Sequence, residues 1–425
     1  MMNKINTLSV FCFGQEIGKL NVDEHQYKSY FQYNPDFLND NRYSELFPLT
    51  GILKRTNSVQ VFSQFNNDTF RGIPPMFADS LPDLFGNIIF KQWIENSTQK
   101  FNHLSVLEQL SYVSNRGMGA LEYYPAKETA SITMVQLNEM VSLVEQILEQ
   151  KEQTTLKALN HEALLTLFKI GSSAGGVRPK VLIAENKRTG QIIPGDISYS
   201  ADFEHYLVKL GLSEEISFQR EVVEYCYYLT LKEIGIHIMP SKLIDDKHFA
   251  TQRFDRQHGE KKHVLTATGL TGWDFKQPDV SSYENLFDLA IFLKLPYAEI
   301  EELFKRMIFN VVFCNTDDHL KNHSFIYNSK SNQWNLAPAY DVTYALNPLI
   351  NYTRISRALS INGKRMDIVW KDIEVFADNY TIKNPKQLVL DVQAGIDFCA
   401  LKMKEYNIPT TIIHRIVNDF VILIP

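Results

Sequence analysis

The chain has 425 residues, of which 44% are hydrophobic and 22% are charged, a composition typical of a folded globular protein rather than a disordered one. Its length predicts two or three domains with a sizeable core. The formal net charge of −6 disfavours a broad basic surface for nucleic acid, while a local basic patch stays open.

Four cysteines, Cys12, Cys226, Cys314 and Cys399, stand far apart in apolar or aromatic contexts. Without a CxxC pair, a zinc ribbon or a redox dithiol is unsupported, and buried free thiols in a reducing compartment are predicted. The start, MMNKINTLSVFCFGQ, is too short and polar for a signal peptide, and no apolar run reaches membrane-spanning length. We therefore expect a cytoplasmic protein with no membrane contact.

The first part of the chain, residues 1–150, predicts a module that begins with strands and continues with helices. LSVFCFG and IGKLNV predict a hairpin, and SVQVFSQF predicts a further strand. FGNIIFKQWIE has helical spacing, and SVLEQLSYVSNRGMGALEYYP predicts a helix, a Gly-rich turn and a strand. Residues 128–170 predict mostly amphipathic helix, interrupted by the polar joint EQKEQTTLKA.

The residue pattern changes from helical to strand-like after residue 170, and the rest of the chain predicts two further units. A small β-rich lobe over 151–256 contains the strand patterns VLIA, QII, HYLVK and HFATQRFD, with one helix in QREVVEYCYYLTLKEIGI that ends at Gly235. A mainly helical lobe over 257–425 follows. The order of elements predicts an α+β protein.

A polar run, NTDDHLKNHSF, directly follows the buried helix predicted by LFKRMIFNVVFC. Within it Asp317 and Asn322 are separated by the interval that protein-kinase catalytic loops place between a base and a metal ligand. A carboxylate can accept the proton of a substrate hydroxyl, and an amide oxygen can bind Mg²⁺ without repelling phosphates. The run therefore predicts a phosphoryl-transfer loop.

The residues after this loop support the same prediction. SFIY, NSKSN and QWNL predict a β-hairpin, which would return Asp341 of APAYDVT to the side of Asn322, where kinases hold their principal magnesium ligand. Two alternatives stay open: Asp317 and Asp318 as helix caps, or His319 and His323 as metal ligands. The second alternative lacks a third ligand and a helical pattern.

A glycine-containing stretch, GSSAGGVRPK, is the candidate phosphate loop. Gly175 and Gly176 allow backbone N–H groups to approach a phosphate, and Arg178 and Lys180 add positive charge. The stretch fits neither GxxxxGK[ST] nor GxGxxG, so a P-loop NTPase or a dinucleotide site is disfavoured.

Lys209 ends the predicted strand HYLVK, where kinases place the lysine that pairs with nucleotide phosphates. Glu224 on the following helix is a candidate ion-pair partner, although a solvated helix face explains it almost as well. QRFDR, residues 252–256, closes the small lobe, where the connection between lobes would meet an adenine.

Taken in order, GSSAGGVRPK, HYLVK, VEYCYYL, RFDR, NTDDHLKNHSF and APAYDVT resemble the HipA family of bacterial serine/threonine kinases, the toxins of HipA–HipB toxin–antitoxin systems. FADSLPDLFGNIIFKQWIE and NRGMGALEYYP resemble the N-terminal module of that family, so the likeness covers most of the chain. It implies a two-lobed, protein-kinase-like fold with an extra N-terminal mixed α/β module and a mainly helical C-terminal lobe.

The resemblance also implies roles for individual residues. Asp317 is similar to the catalytic aspartate, Asn322 and Asp341 to the metal ligands, and Ser173, or the adjacent Ser172, to an autophosphorylated serine. Phosphorylation there would add negative charge to the phosphate loop and eject it from the nucleotide site. The residues similar to the nucleotide-binding set are Gly175, Gly176, Val177, Arg178, Pro179, Lys180, Lys209, Gln252, Arg253, Phe254, His319, Leu320, Lys321, Asn322, Tyr340 and Asp341.

The chain departs from protein kinases at large in two motifs. The triplet 315–317, Asn-Thr-Asp, replaces His-Arg-Asp, and the triplet 340–342, Tyr-Asp-Val, replaces Asp-Phe-Gly. Without the arginine of the first motif, the usual phosphate switch of the activation loop lacks its receptor. Asp318 next to the base has no assigned role beyond that of a structural cap.

The function implied is an ATP- and Mg²⁺-dependent protein serine/threonine kinase that acts as a toxin on a translation component, such as an aminoacyl-tRNA synthetase. A small helix-turn-helix antitoxin of the HipB type would be its partner, and DNA would be contacted only through that antitoxin. The alternatives are an inactive kinase-like scaffold that acts as a corepressor, and a kinase for a small molecule.

Overall fold

The fold was determined as a computed structural model that describes residues 5–82, 84–96, 104–127, 137–152, 167, 178–197, 200–212 and 218–424. Within these ranges no helix is both long enough and apolar enough to cross a bilayer. The strands are β1 (Thr7–Cys12), β2 (Gln15–Asp23), β3 (Lys28–Tyr33), β4 (Gln60–Phe62), β5 (Leu121–Tyr124), β6 (Lys180–Asn186), β7 (Ile192–Pro194), β8 (Phe203–Lys209), β9 (Ser241–Ile244), β10 (His248–Gln252), β11 (Arg256–Gln257), β12 (Glu260–Lys261), β13 (His263–Thr266), β14 (Ser324–Asn328) and β15 (Gln333–Leu336). The α-helices are α1 (Pro35–Asn39), α2 (Pro75–Ala78), α3 (Leu84–Asn96), α4 (Val106–Val113), α5 (Leu137–Glu152), α6 (Arg220–Glu233), α7 (Ala267–Thr271), α8 (Tyr283–Phe292), α9 (Tyr297–Val312), α10 (Trp370–Asn379), α11 (Pro385–Gln393), α12 (Gly395–Glu405) and α13 (Thr410–Asn418).

The first module is built on an antiparallel sheet with the strand order β4-β3-β2-β1-β5. The predicted hairpin of β1 and β2 is confirmed, and alternate residues Leu8, Val10 and Cys12 of β1 point into the core. The strand predicted in SVQVFSQF is confirmed only over the three residues of β4, where Val61 stays exposed at the edge of the sheet.

The small lobe is a second antiparallel sheet with the order β7-β6-β8-β10-β9. The strands predicted around VLIA, QII, HYLVK and HFATQ are confirmed, and the predicted helix is α6. Just after this helix Gly235 adopts a φ of +76°, a left-handed conformation that favours glycine at the end of a helix.

Helix α5 is the described part of the amphipathic helix predicted between about 128 and 170. Its residues Met140 and Ile147 share a hydrophobic core with Val181 and Val208 of the small-lobe sheet. The domain boundary predicted at residue 150 falls close to the end of this helix, and it stays a prediction because helix and sheet share one core.

The large lobe combines a three-stranded sheet, β13-β14-β15, with helices α8 to α13. The apolar face predicted for α9 is buried as expected, and it consists of Leu303, Phe304, Met307, Ile308, Val311 and Val312. Cys314, with a φ of +54°, turns the chain after α9, so the polar run begins at a fixed point. The predicted hairpin is confirmed as β14 and β15.

The first module docks on the chain that connects the two lobes. Gly119 N–H donates to Oδ2 of Asp255 at 2.9 Å, and Arg256 donates to the carbonyl oxygens of Gly117 and Gly119. Gly119 has a φ of +77°, and a Cβ there would lie 2.9 Å from the carbonyl oxygen of Val264. Only glycine therefore fits this close approach of the two backbones.

Candidate active site

The polar run after α9 forms a tight loop in which Asp317 faces solvent. Its side chain is 67% exposed, and its Oδ1 lies 3.7 Å from Nε2 of His319. The backbone carbonyl of Asp317 accepts a hydrogen bond of 2.7 Å from Nδ2 of Asn322, which leaves the amide oxygen of Asn322 for another ligand. Buried Leu320 in the short 3₁₀ turn Leu320–Asn322 holds the loop on the core.

The carboxyl group of Asp317 has a raised pKa. Partial enclosure by the surrounding protein is the main cause, and the negative charges of Asp341 and Asp318 add to it, while His319 and Lys209 act in the opposite direction. A carboxylate with a raised pKa accepts a proton more readily, which suits a general base near neutral pH.

Asp341 returns to this loop at the end of the hairpin. It has a left-handed φ of +55°, and together with Asn322 it lines a cavity of about 20 Å³. The preceding residue, Tyr340, holds Asp341 next to the loop. Its hydroxyl donates to the carbonyl oxygen of Lys321 at 2.7 Å and lies 2.5 Å from Oγ of Ser324. The hairpin thus brings Asp341 and Asn322 to one place.

Lys209 at the end of β8 binds two carboxylates. Its Nζ donates to both oxygens of Glu224 at 2.6 and 2.8 Å, and it also forms an ion pair with Oδ1 of Asp341. The Lys209 and Glu224 side chains are buried, whereas Asp341 is 30% exposed. The helix face that carries Glu224 is therefore packed against the lysine and is not solvated at this residue.

The charges of this cluster determine how its groups ionise. Burial alone would lower the pKa of Lys209, but Asp341 and Glu224 outweigh burial and raise that pKa above its usual range. Burial would likewise raise the pKa of Asp341, yet Lys209 and Lys180 hold it well below its usual range. Lys209 and Asp341 are thus a charged pair.

Lys180 at the start of β6 lies opposite Lys209 in the register of β6 and β8. Directly opposite residues of neighbouring strands project on the same side of the sheet, so both ammonium groups belong to one face. Arg178, two residues earlier, lies 3.8 Å from Glu221, and the Pro179 carbonyl oxygen accepts from the backbone N–H of Leu210. The described end of the candidate phosphate loop therefore leads into the lysine cluster.

The remaining part of the candidate phosphate loop lies outside the described residues. This concerns both candidate autophosphorylation sites, Ser172 and Ser173, and the three predicted nucleotide contacts Gly175, Gly176 and Val177. Their assignments stay predictions.

The predicted hinge lies between β10 and β11. The Arg253 side chain does not face a cleft: it is buried, donates to both carboxylate oxygens of Asp255 at 2.9 and 2.8 Å, and reaches the Gly195 carbonyl oxygen at 2.9 Å. The ring of Phe254 lies 5.6 Å from that of Tyr340 across the lobes. Side-chain contact with a nucleotide at this point would therefore involve Phe254 rather than the guanidinium of Arg253.

Gln252 and the loop residues near Phe275 complete the set of predicted contacts. Nε2 of Gln252 donates to the hydroxyl of Tyr206 at 3.4 Å. The aromatic ring of Phe275 lies 4.9 Å from the ring of His319 and 5.6 Å from Nζ of Lys321. Phe275 thus supports two loop side chains, a contact that no sequence pattern indicated.

Asp318 differs completely from its neighbour Asp317. Its side chain is fully buried and accepts hydrogen bonds from Tyr283, Arg357 and the backbone of 358–359. Its role in the fold is therefore structural, in line with the cap suggested by the sequence, although it caps a loop segment instead of a helix.

A histidine-based metal site finds no support in the described part of the chain, where no group of three or more His, Cys, Asp or Glu side chains gathers around a common point. His319 lies beside Asp317, whereas His323 is buried and its Nε2 contacts the carbonyl oxygen of Asp318. Burial lowers the pKa of His323 to about 4.

Comparisons with known proteins show the family of the chain. A family model for the HipA-like C-terminal domain matches residues 172–398, and one for the HipA N-terminal domain matches residues 8–124. The chain belongs to the HipA family. No curated protein sequence matches this HipA-family chain.

A solved structure shows the same fold for the HipA-family chain. A structure of Shewanella oneidensis MR-1 HipA, with HipB and operator DNA, matches with a TM-score of 0.66 at 16% identity, covering 97% of this chain and 96% of that one. The Helicobacter pylori proinflammatory kinase CtkA matches with a TM-score of 0.37 at 11% identity, covering 52% of this chain and 87% of that one. The Shewanella match shows that this protein has the HipA fold expected from its sequence, with two lobes and an added N-terminal module.

Proposed function

We propose that this HipA-family protein is an ATP- and Mg²⁺-dependent kinase that phosphorylates a serine or threonine of a protein. The observation that carries the proposal is the convergence of Lys209, Asp341 and Asp317 from separate parts of the chain. Lys209 is paired with Asp341, and the backbone of Asp317 is hydrogen-bonded to Asn322, which lines one cavity with Asp341. Phosphoryl transfer needs this combination: a cation for the phosphates, a metal-binding carboxylate and a base.

The side chains suit these roles chemically. Lys209 and Lys180 present two ammonium groups on one sheet face, where they would neutralise phosphate charge. Asp341 and Asn322 offer the carboxylate and amide oxygens that Mg²⁺ prefers, and the bound ion would supply further charge neutralisation at the phosphates. Exposed Asp317 would accept the proton of the incoming hydroxyl.

We extend the proposal to biological role on the basis of family membership. The protein would be a toxin that inactivates a translation component, for example an aminoacyl-tRNA synthetase, and autophosphorylation of Ser173 or Ser172 would switch it off. The Shewanella structure holds HipA, HipB and operator DNA. A small helix-turn-helix antitoxin would be the corresponding partner of this protein. Because the chain has a net charge of −6, DNA contact would come through that partner. Both proteins would act in the cytoplasm.

The test is transfer of labelled phosphate from ATP with Mg²⁺, followed by mass spectrometry of the modified residues. We expect incorporation by the parent protein and by Asp378→Asn, a control that removes an exposed carboxylate from α10. We expect none with Asp317→Asn. Incorporation by all three proteins would refute Asp317 as the base.

Two other outcomes would indicate the alternative functions. Tight binding of Mg-ATP by calorimetry without any turnover would indicate a kinase-like scaffold. Turnover on a cell extract that labels only small molecules, with no labelled protein, would indicate a small-molecule kinase.

A further inference from the structure

The segment 342–356, which follows Asp341, is fixed at both of its ends to the catalytic loop. At the first end, Tyr340 donates to the Lys321 carbonyl oxygen, and Asp341 is paired with Lys209. At the second end, the backbone N–H of Ala358 donates to the Thr316 carbonyl oxygen at 2.9 Å. The intervening residues reach the surface, where Leu349 and Ile350 are exposed.

Asp318 provides most of the bonds at the second end. Its Oδ2 accepts from Nη2 and Nε of Arg357 at 2.8 and 3.2 Å and from the hydroxyl of Tyr283 at 2.7 Å. Its Oδ1 accepts from the backbone N–H groups of Ala358 and Leu359, both at 3.2 Å. We call Asp318, Arg357, Ala358 and Leu359 the Asp318 clamp.

Hydrogen bonds connect the Asp318 clamp to the core of the large lobe. Tyr283 begins α8, and its hydroxyl accepts from Nδ2 of Asn310 in α9, whose Oδ1 in turn accepts from Nδ2 of Asn315. The Asp318 side chain is 0% exposed and that of Arg357 is 6% exposed. A buried carboxylate is tolerated only when charged and polar donors surround it, so Asp318 has little freedom to change partners.

The contact between Asp318 and Arg357 has its charges on the opposite segments from the phosphate switch of many protein kinases. There an arginine of the catalytic loop binds a phosphate added to the activation segment, and the segment is ordered only while the phosphate is present. Here the catalytic loop supplies the anion, and the arginine comes from the chain after the metal-binding aspartate. A carboxylate needs no modifying enzyme to carry its charge.

We propose that Asp318 and Arg357 are positioning residues that hold the 342–356 segment and the neighbouring Asp317 in working geometry without phosphorylation of the segment. The kinetic part of this inference rests on the proposed kinase function, whereas the structural part does not. Turnover would then be controlled elsewhere in the protein and not by modification of this segment.

The first test uses the unmodified protein. By hydrogen exchange, we expect the amides of 357–359 to be as protected as those in the middle of α9, and those of 351–354 to exchange far faster. Equal, rapid exchange of both stretches would overturn the proposal, and this measurement does not depend on any variant.

The second test separates positioning from ATP binding. Arg357→Met keeps the length of the side chain but removes the charged fork, and we expect kcat to fall about 100-fold while the KM for ATP changes less than about threefold. Arg357→Lys, which keeps the charge, should recover part of kcat. A folded Arg357→Met protein with parental kcat, or a loss in ATP affinity that parallels the loss in kcat, would contradict a positioning role.

The third test concerns phosphorylation directly. Thr353 and Ser356 are exposed hydroxyl residues of the segment, and the double variant T353A/S356A should retain parental turnover. Loss of turnover would show that the segment needs a phosphate after all. If the parent protein transfers no phosphate, the proposed function fails, but faster exchange of 342–359 in Arg357→Met than in the parent still tests the clamp.

Discussion

Lys209 and Asp341 form an ion pair that joins the two lobes, and the same ammonium group binds Glu224. One cation is therefore shared by two carboxylates, one from the helix of the small lobe and one from the loop of the large lobe. Nucleotide phosphates arriving in the cleft would compete with both carboxylates for Lys209.

Removing that cation tests its double role. In Lys209→Met, two carboxylates would be left together, and we expect the free energy of unfolding to fall by about 3–5 kcal/mol. Turnover should fall about 100-fold or more, because a preorganised donor to the phosphates is lost. Lys242→Met is the matched control, since this partly exposed lysine of the same sheet pairs with Glu185 near solvent and should cost less than about 1 kcal/mol. Equal effects of both substitutions would contradict the role of Lys209.

The adjacent residues Asp317 and Asp318 should differ in what their substitution by asparagine changes: activity for Asp317 and stability for Asp318. Asp317→Asn should abolish phosphoryl transfer and leave thermal stability unchanged, because its carboxylate is 67% exposed and lies 3.7 Å from Nε2 of His319, too far for a strong ion pair. Asp318→Asn should lower the free energy of unfolding by about 3–5 kcal/mol, because Arg357 would stay buried without its anion. Thermal denaturation of both variants measures this difference, and similar melting temperatures would contradict the assignment.

Much of the candidate site could be predicted because it depends on local patterns. Three elements have a recognisable hydrophobic periodicity or turn sequence: the strand that ends at Lys209, the helix before Asp317 and the hairpin before Asp341. Once these elements are placed, the approach of Asp341 to the loop follows from the geometry of a hairpin.

The remaining contacts could not be predicted because they depend on packing between distant segments. Arg357 lies in a stretch without regular structure and meets Asp318 across 39 residues of chain. The Arg253 side chain is bound to Asp255 in the interior, a contact that no sequence pattern indicated. In an irregular connection such as this one, the sequence has no periodic pattern that could show whether an arginine side chain points into the protein or into solvent.

Buried histidines should make the protein less stable in acid. Burial lowers the pKa of His263 to about 3 and that of His248 to about 4, while the unfolded value is about 6.5. The unfolded chain therefore binds more protons below about pH 6.5, so stability is full above that pH and is lost as the pH falls towards 4. Each histidine contributes a slope of up to about 1.4 kcal/mol per pH unit.

Denaturant unfolding at several pH values measures this slope. His263→Phe should reduce it, because the ring packs among Phe47, Tyr327 and Trp334 and its nitrogens have no hydrogen-bond partner among the described residues. His25→Gln, at an exposed position, is the control. An unchanged slope in His263→Phe would show that this ring does not titrate on unfolding.

The hinge carboxylate should be essential for stability. Asp255 is buried and accepts from Arg253, Arg256 and the N–H of Gly119. Asp255→Asn would leave two buried guanidinium groups without their anion, and we expect a loss of about 3–5 kcal/mol in chemical denaturation. Asp202→Asn, in an exposed pair with Arg188, should cost less than about 1 kcal/mol. Comparable losses in the two variants would contradict the proposed importance of the hinge pair.

The docking of the first module at the hinge limits how this protein can be shortened. Gly117 and Gly119 give their carbonyl oxygens to Arg256, and the carbonyl of Asn115 and the Glu122 carboxylate bind Lys261. A truncated protein that begins after residue 124 would lose all of these partners and leave a set of interior charges facing water. We therefore expect the two lobes to need the first sheet for stability, so that the smallest stable protein unit includes it.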